Sequence, residues 1–278
     1  MAINLFAPTV WSESLCQELD KQYIAVAHCS REYEGEIKQC GDTVRIVGLN
    51  PIKVFDYTKN TDMTSPAALS ETLRELKISQ AKYFNFQIDD IDRAQTHPDL
   101  MKLAMKSAAN ALSDAADKYV FEVCKQGGTL LAADVSNQNL IDTIINARTI
   151  MYANGVGSTE EVFVEVSPEI AKFLFKEKRE MIFDNSNLIE TGCIGTIHGC
   201  KVFVSHNIPT DAEEEANIHH CFMRTKNAIV FAEQLSEIDA YRPELRFADA
   251  VKGLHLYGAK ALRHGEIVRM DFSIPLTL

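Results

Sequence analysis

The sequence has no long apolar run, no basic start and no surplus of basic residues, and each absence excludes a class of protein. Its longest apolar stretches are a handful of residues, as in Val162 to Val164, whereas a helix that crosses a bilayer needs roughly 20. Met1 to Ile3 lack the positive charge of a signal peptide. We therefore predict a cytoplasmic protein.

Cysteine is present seven times, an odd number, and no CxxC pair occurs. Neither a disulfide framework nor a zinc ribbon is indicated, so we expect reduced thiols. The net charge of -11 argues against a protein that binds nucleic acid by neutralising its phosphates, because such binding needs an excess of Lys and Arg.

The common catalytic motifs are also missing: GxGxxG, the P-loop, HExxH and GxSxG do not occur. The acidic run 89–92 could bind Mg²⁺, but a solvated strand end is the simpler interpretation. A loose Cys/His group has none of the tight spacing of a zinc finger, and a chance grouping is favoured over a metal site. Its members are Cys193, His198, Cys200, His206, His219, His220 and Cys221. We predict no catalytic residue, no cofactor and no metal.

The strongest element in the sequence is one long helix. Thr96 is a candidate N-cap, Pro98 fits the first turn and Asp99 occupies the capping-box position. Apolar residues then keep helical spacing until Gly127 and Gly128 stop the helix. The predicted helix has about 27 residues and a length of ~40 Å. Its apolar face is rich in alanine, which lets a sheet or a second helix approach closely.

An amphipathic stripe precedes it near the start of the chain. Trp11, Leu15, Leu19 and Tyr23 recur every four residues, which indicates a short helix with one apolar side. The stripe either packs on the protein's own core or docks as an arm on a neighbouring subunit.

Two long strands are predicted at 43–55 and 73–88, separated by a polar stretch at 56–70. A long hairpin with a polar tip is not stable alone in water, so it should lie against another surface. The rest of the chain alternates helix and strand, which makes the fold α+β. The further predicted helices cover 136–154 and 167–181, and the further strands 161–166, 201–205, 228–232, 254–262 and 266–274. Gly192, Gly195 and Gly199 mark a turn-rich hairpin that leads into the strand at 201–205.

Three phrases resemble, in order, segments of the major capsid proteins of tailed bacteriophages, whose shared fold is named after bacteriophage Hong Kong 97. They are AKYFNFQIDDIDRAQ at 81–95, which runs into the helix ending LSDAADKY at 112–119; GTIHGCKVFVSHNIP at 195–209; and FADAVKGLHLYG at 247–258. Together the three phrases span most of the chain.

This resemblance implies an N-terminal arm at 1–30 and a peripheral domain at 31–130. The peripheral domain would contain an extended loop at 43–82 and a spine helix at 98–125. An axial domain would follow at 131–260, and a final strand at 261–278 would return to the peripheral domain.

The resemblance also implies a non-enzymatic protein that assembles with itself into an icosahedral shell of hexamers and pentamers around double-stranded DNA, without sequence-specific binding. A separate scaffolding protein and a portal are the other expected partners, with assembly in the host cytoplasm. The expected subunit contacts are Trp11, Leu15, Leu19, Tyr23, Phe55, Tyr57, Lys59, Asp62 and Arg74.

Some members of the family cross-link their shells by isopeptide bonds between Lys and Asn, assisted by a Glu. Lys53, Lys59 and Lys77 lie in or near the loop, but no complete trio of residues matches, and we predict no cross-link. Two rival interpretations stay open: an encapsulin-like compartment of the same fold, and a soluble metal-dependent enzyme that uses the Cys/His group.

Overall fold

The computed structural model describes most of the second half of the chain and parts of the first. The described residues are 15, 18–19, 22–33, 42–49, 56–57, 59–60, 62, 71–89, 100–134, 140–176, 192–212 and 216–275.

The long helix predicted from the sequence is present as α1, Leu100–Gly127. Its predicted start signal at 96–99 lies outside the described residues, and its end at Gly127 is confirmed. One stripe of α1 is buried and contains small residues, so strands can approach the helix closely. The stripe consists of Met105, Ala109, Leu112, Ala116, Val120, Phe121 and Cys124. No helix in the described ranges is long and apolar enough to cross a membrane.

The predicted hairpin begins with β1, Thr43–Leu49, which pairs antiparallel with β2, Glu71–Lys77. The chain then leaves β2 through Ile78 and Ser79 and continues as β3, Gln80–Asp89, which belongs to a different sheet. The second predicted strand is therefore two strands with a break between them.

A three-stranded antiparallel sheet, called here the small sheet, has the order β10–β11–β3. Strand β10 covers Ile229–Tyr241 and β11 covers Ala248–Ala261. Both are longer than the sequence predicted. One face of the small sheet packs on α1 through Phe231, Val251 and Tyr257. Helix α1 and the small sheet thus share one core.

A larger mixed sheet, called here the large sheet, has the order β4–β12–β9–β5–β7–β6, with the short β8 paired to β9. Two helices, α2 at Leu140–Ala153 and α3 at Pro168–Lys176, contribute to its core. The strands are β4 Thr129–Asp134, β5 Val162–Val166, β6 Cys193–Ile197, β7 Cys200–Val204, β8 Thr210–Ala212, β9 Ala216–Thr225 and β12 Ile267–Pro275.

The turn between β6 and β7 shows how the local sequence builds this sheet. Ile197 pairs with Cys200, so only His198 and Gly199 form the turn. Both have positive φ, 46° and 79°, as a two-residue turn that matches the strand twist requires. The predicted glycine-marked hairpin is therefore confirmed.

The resemblance implies a final strand that returns to the peripheral domain and an axial domain that includes residues 229–261, and these domain assignments stay predictions. In the structure, β12 pairs with β4 and β9 in the large sheet. Strands β10 and β11 join β3 in the small sheet. Strand pairing joins segments far apart in sequence, and local periodicity carries no information about the partner.

Candidate assembly surfaces

Four of the residues expected to contact other subunits lie on the hairpin and are exposed. Tyr57 is 74 % exposed, and Lys59, Asp62 and Arg74 are exposed as well. Lys59 and Asn60 form a turn in which Asn60 has a φ of 65°, a conformation that asparagine tolerates. These side chains are available to a partner, and their role between subunits stays a prediction. Trp11 and Phe55 lie outside the described residues.

The base of the hairpin packs on the protein's own small sheet. Val44, Ile46, Leu76 and Ile78 are buried against a patch of β10 and β11. That patch is formed by Val230, Ala232 and Leu256. The same chain thus supplies the surface that the base of the hairpin packs on. Only the hairpin residues farther from this base remain available for contact with another copy.

Gly258 on β11 allows this close crossing of hairpin and sheet. A Cβ at Gly258 would lie 2.4 Å from the carbonyl oxygen of Lys77, where the chain passes from β2 toward β3. Backbone atoms cannot rotate away as a flexible side chain can. The approach of the two segments therefore depends on the missing side chain.

Substituting Gly258→Ala is expected to destabilise the subunit by about 1–3 kcal/mol, because the hairpin base must shift away from β11. Urea unfolding of the unassembled subunit measures the change. Gly265→Ala is the matched control, since its Cβ would meet Asn154 at an ordinary 3.6 Å. Equal stability of the Gly258→Ala variant and the parent would contradict the crossing argument.

The N-terminal stripe faces the protein's own core. Leu15, Leu19 and Tyr23 are all nearly inaccessible and belong to the core around α1. Of the two interpretations, the structure shows packing on the chain's own body for these three side chains. Burial against α1 and the small sheet removes these three side chains from water within a single copy, and their expected role as subunit contacts stays a prediction.

A short segment after the stripe is fixed to α1 by one buried carboxylate. Asp117 accepts hydrogen bonds from the backbone N–H groups of Ile24 and Val26, both at 3.0 Å. Burial raises the pKa of Asp117 to about 7, although the two N–H groups oppose that rise. The carboxyl group thus holds the segment in place and titrates near neutral pH.

A fully buried ion pair fastens the same segment to the large sheet. Arg224 on β9 donates to Glu165 on β5 in bidentate fashion, at 2.9 and 2.7 Å, and neither side chain is accessible. The guanidinium also donates to the carbonyl oxygens of His28 at 2.9 Å and Ala25 at 2.7 Å. Burial favours a raised pKa at Glu165, but Arg224 and His28 outweigh it and hold that pKa below its ordinary value.

The His28 side chain completes this buried site. Its Nδ1 lies 2.9 Å from a carboxylate oxygen of Glu165. Its ring stacks on Phe163 and tilts against Phe203, both with centroids at 4.2 Å. The imidazole is therefore packed by aromatic rings and hydrogen-bonded to a charge, which fixes its orientation.

A third contact joins the segment to the small sheet. The Glu233 carboxylate on β10 accepts hydrogen bonds from the hydroxyl of Tyr23 and from the guanidinium of Arg31, both at 2.5 Å. It also lies 2.8 Å from Nε2 of His255. Ser30 forms a backbone bridge to β10 at Val230. Residues 23–31 are thus tied to α1 and to both sheets.

Sequence reasoning missed all of these anchoring residues. His28, Asp117, Glu165, Arg224 and Glu233 are isolated polar residues, far apart along the chain. Arg224 and Glu165 lie in strands buried on both faces, where charged residues are rare unless paired. No local pattern could have identified them.

The Cys/His group predicted to be a chance grouping is spread over the large sheet and its surroundings. Cys200 and Cys221 lie in the core of the large sheet, and Cys193 in a separate small cluster. His220 bonds instead to Asp271 at 2.7 Å and Asp211 at 2.9 Å. Within the part of the chain that the structure describes, no group of three or more potential ligands could hold a metal ion. Residues 90–92 lie outside the described part.

Large apolar side chains are exposed at one end of the small sheet and on its outer face. Tyr83, Tyr241 and Leu254 lie on that face, and Leu245 and Phe247 lie in the connection between β10 and β11. Single exposed apolar residues are ordinary, but several on one element suggest a contact surface.

No protein-family model and no curated protein sequence matches the chain. Solved structures do match it over nearly its whole length. A structure from Mycobacterium phage Che8 is 25% identical, with a TM-score of 0.69, covering 90% of this chain and 91% of that one. The capsid of Ralstonia phage GP4 has a TM-score of 0.70 at 12% identity, covering 92% and 90%. A virus-like particle from Pyrococcus furiosus has a TM-score of 0.54 at 12% identity, covering 93% and 96%.

Each of these matches covers nine tenths or more of this chain. The resemblance that the sequence phrases indicated is therefore confirmed by the tertiary structure. The chain has the Hong Kong 97-type capsid fold that tailed-bacteriophage capsid structures share.

Proposed function

We propose that this chain is the major capsid protein of a tailed bacteriophage and forms an icosahedral shell of hexamers and pentamers around double-stranded DNA. The observation that carries the proposal is the likeness to the Che8 structure over 90% of this chain and 91% of that one, at 25% identity. The role is architectural and requires no catalytic residue.

The exposed hairpin and the exposed apolar end of the small sheet support self-assembly. Interfaces of ordinary size bury about 1,600 Å², and each copy in a shell makes several of them. Many weak contacts per copy add up, because binding at one contact raises the effective concentration at the next. A shell can therefore be stable although no single contact is strong.

The excess of acidic over basic residues is compatible with a shell that encloses DNA. A net charge of -11 gives little non-specific attraction for phosphates, so the wall does not hold the packed genome. The other proposed partners are a separate scaffolding protein and a portal, with assembly in the cytoplasm of the host bacterium.

Electron microscopy of the purified protein tests the proposal directly. Closed particles of uniform size are the expected result, alone or after co-expression with a scaffolding protein from the same genome. A protein that stays a compact single copy under both conditions contradicts it.

The hairpin gives a sharper test of the assembly surfaces. Tyr57→Ser is expected to leave the unassembled subunit's stability within about 0.5 kcal/mol of the parent, because the side chain is exposed. The yield of closed particles is expected to fall severalfold, since the ring has a partner only in the shell. Tyr57→Phe is the matched control, and it should assemble like the parent. Full assembly of the serine variant contradicts a contact at Tyr57.

An encapsulin-like compartment with a protein cargo is the second candidate, and the likeness to the Pyrococcus furiosus virus-like particle favours it at the level of the fold. The contents of particles from the native source separate the two functions. Double-stranded DNA supports the phage capsid, and an enclosed enzyme without DNA supports the compartment.

A further inference from the structure

The end of α1 is joined to the large sheet by a closed ring of hydrogen bonds between charged and titratable side chains. Arg269 on β12 donates to the carbonyl oxygen of Lys125 at 3.0 Å and to the Asp271 carboxylate at 2.9 Å. Lys125 in turn donates to Asp211 on β8 at 2.9 Å. His220 on β9 lies between the two carboxylates and closes the ring. We call these five residues the polar ring.

His220 contacts a carboxylate through each of its two ring nitrogens. Its Nδ1 lies 2.7 Å from an oxygen of Asp271, and its Nε2 lies 2.9 Å from an oxygen of Asp211. The His220 side chain is only 4 % exposed, so water has little access to either nitrogen. A neutral imidazole has a single N–H and would turn the lone pair of its other nitrogen toward a carboxylate oxygen, which is repulsive. The short contacts on both nitrogens therefore fit the doubly protonated, positively charged ring.

Both carboxyl groups of the polar ring act as acceptors. The hydrogen bonds from Lys125 and His220 hold the pKa of Asp211 below its ordinary value, so this group is ionised near neutral pH. Asp271 forms an ion pair with Arg269 at 2.9 Å in addition to its contact with His220. The protons that lie between the two carboxylates and the imidazole thus belong to His220.

Two more titratable groups adjoin His220 along β9 and lie on the opposite face of the large sheet. His219 has its Nδ1 3.8 Å from the Glu169 carboxylate on α3. Cys221 is buried in the core that α2 and α3 share, where burial raises the pKa of its thiol to about 12. Side chains alternate between the two faces of a strand, so neither neighbour is directed into the polar ring.

The two carboxylates differ in how easily water can replace the imidazole. Asp271 is 13 % exposed and is also held by Arg269, whereas Asp211 is 55 % exposed. Asp211 lies on β8, a strand of only three residues. When His220 loses a proton, the remaining N–H therefore stays with Asp271, and the lone pair of Nε2 faces Asp211. The repulsion acts on the partner that can move into water.

We propose that His220 is a proton-controlled lock between the end of α1 and the large sheet. The protonated ring fastens β8 to β9 through Asp211, and Asp211 fastens Lys125 of α1. Release of the proton opens the lock at Asp211, so β8 and the last turn of α1 loosen as the pH rises. Histidine suits this role because it changes its charge close to physiological pH. The inference concerns a single copy of the chain and holds whether or not the chain forms a shell.

Backbone hydrogen exchange of the unassembled subunit tests the lock. His220→Gln keeps a donor and an acceptor but cannot carry the charge. At about pH 6, the amides of β8 and of the last turn of α1 are expected to exchange at least about fivefold faster in the variant than in the parent. By about pH 9 this ratio is expected to fall below about twofold, because the parent has then lost the proton as well. Comparison at the same pH cancels the intrinsic effect of pH on exchange. An equal ratio at the two pH values, whether large or close to one, overturns the proposal.

A matched control and a direct measurement complete the test. His206 is 67 % exposed and pairs through one ring nitrogen with Asp114 at 3.3 Å, so His206→Gln should exchange like the parent at both pH values. The same pH-dependent ratio in this control overturns the proposal. Nitrogen NMR of the parent should show a proton on both ring nitrogens of His220 at about pH 6, with its signals identified by their change in Asp211→Asn. A bare ring nitrogen at that pH overturns the proposal even if His220→Gln does not fold.

Discussion

Replacing Arg224 with methionine is expected to lower the free energy of unfolding by about 3–5 kcal/mol, among the largest effects of any single substitution in this chain. The variant leaves Glu165 with no access to water and without its guanidinium partner, so that only His28 remains beside the carboxylate. It also removes the donors of two carbonyl oxygens, those of Ala25 and His28. The N-terminal segment should therefore loosen together with the sheet.

The pH dependence of this loss has a definite sign. In the parent, the lowered pKa of Glu165 contributes stability above its unfolded value of 4.5, and that contribution is lost as the pH falls through the folded value. Without Arg224, only His28 opposes the effect of burial, so the pKa of Glu165 should be higher than in the parent. The stability deficit of the variant should thus grow as the pH rises through the range in which Glu165 is ionised in the parent and protonated in the variant.

Urea unfolding of the unassembled subunit measures both effects. Glu165→Leu combined with Arg224→Met should lose less stability than Arg224→Met alone, because no charge is left buried without a partner. Lys201→Met is the matched control, since it breaks an exposed pair with Glu161 at 2.9 Å and should cost less than about 1 kcal/mol. A loss at Arg224 no larger than in this control contradicts the argument.

Between pH 4 and pH 7, Asp117 is expected to make the subunit progressively less stable, by about 4 kcal/mol in total. Its pKa rises from 3.8 to about 7 on folding, so the folded state keeps a proton that the unfolded state releases. The stability from this group is fully present below pH 4 and is lost as the pH rises to about 7. Above that value the contribution is constant.

The pKa values of Glu165 and Glu233 are lowered, so these two acids give the opposite dependence of stability on pH. Comparison of the parent with Asp117→Asn separates the effect of Asp117 from theirs. We expect the stability difference, parent minus variant, to fall as the pH rises from 4.5 to 7.5. Glu161→Gln is the control with the opposite sign, because the Lys201 hydrogen bond lowers the pKa of Glu161. Its stability difference should grow as the pH rises toward the unfolded value of 4.5 and stay flat above it. A flat difference for Asp117→Asn contradicts the raised pKa.

The sequence predicted those elements whose information is local. Helix α1 has apolar residues at helical spacing and two glycines at its end, and the structure places it accordingly. The β6–β7 hairpin has Gly199 where a positive φ is required. In both cases the residues that specify the element lie within it.

Strand β9 shows why other elements were missed. It is buried on both faces along most of its length, so apolar and polar residues do not alternate. It also contains His219, His220 and Arg224, which look unsuited to a core when their partners are unknown. Two of those partners, Asp271 of His220 and Glu165 of Arg224, lie 51 and 59 residues away along the chain.

By itself, the sequence determined the main helix, the hairpin, the mixed class of the fold and, through three phrases, the resemblance to phage capsid proteins. Only the tertiary structure decided that β12 lies in the large sheet, that Leu15, Leu19 and Tyr23 face the chain's own core, and that residues 23–31 are tied to both sheets. The reason is physical. Helical period and turn chemistry act between near neighbours, whereas strand pairing and buried ion pairs depend on which distant segments meet.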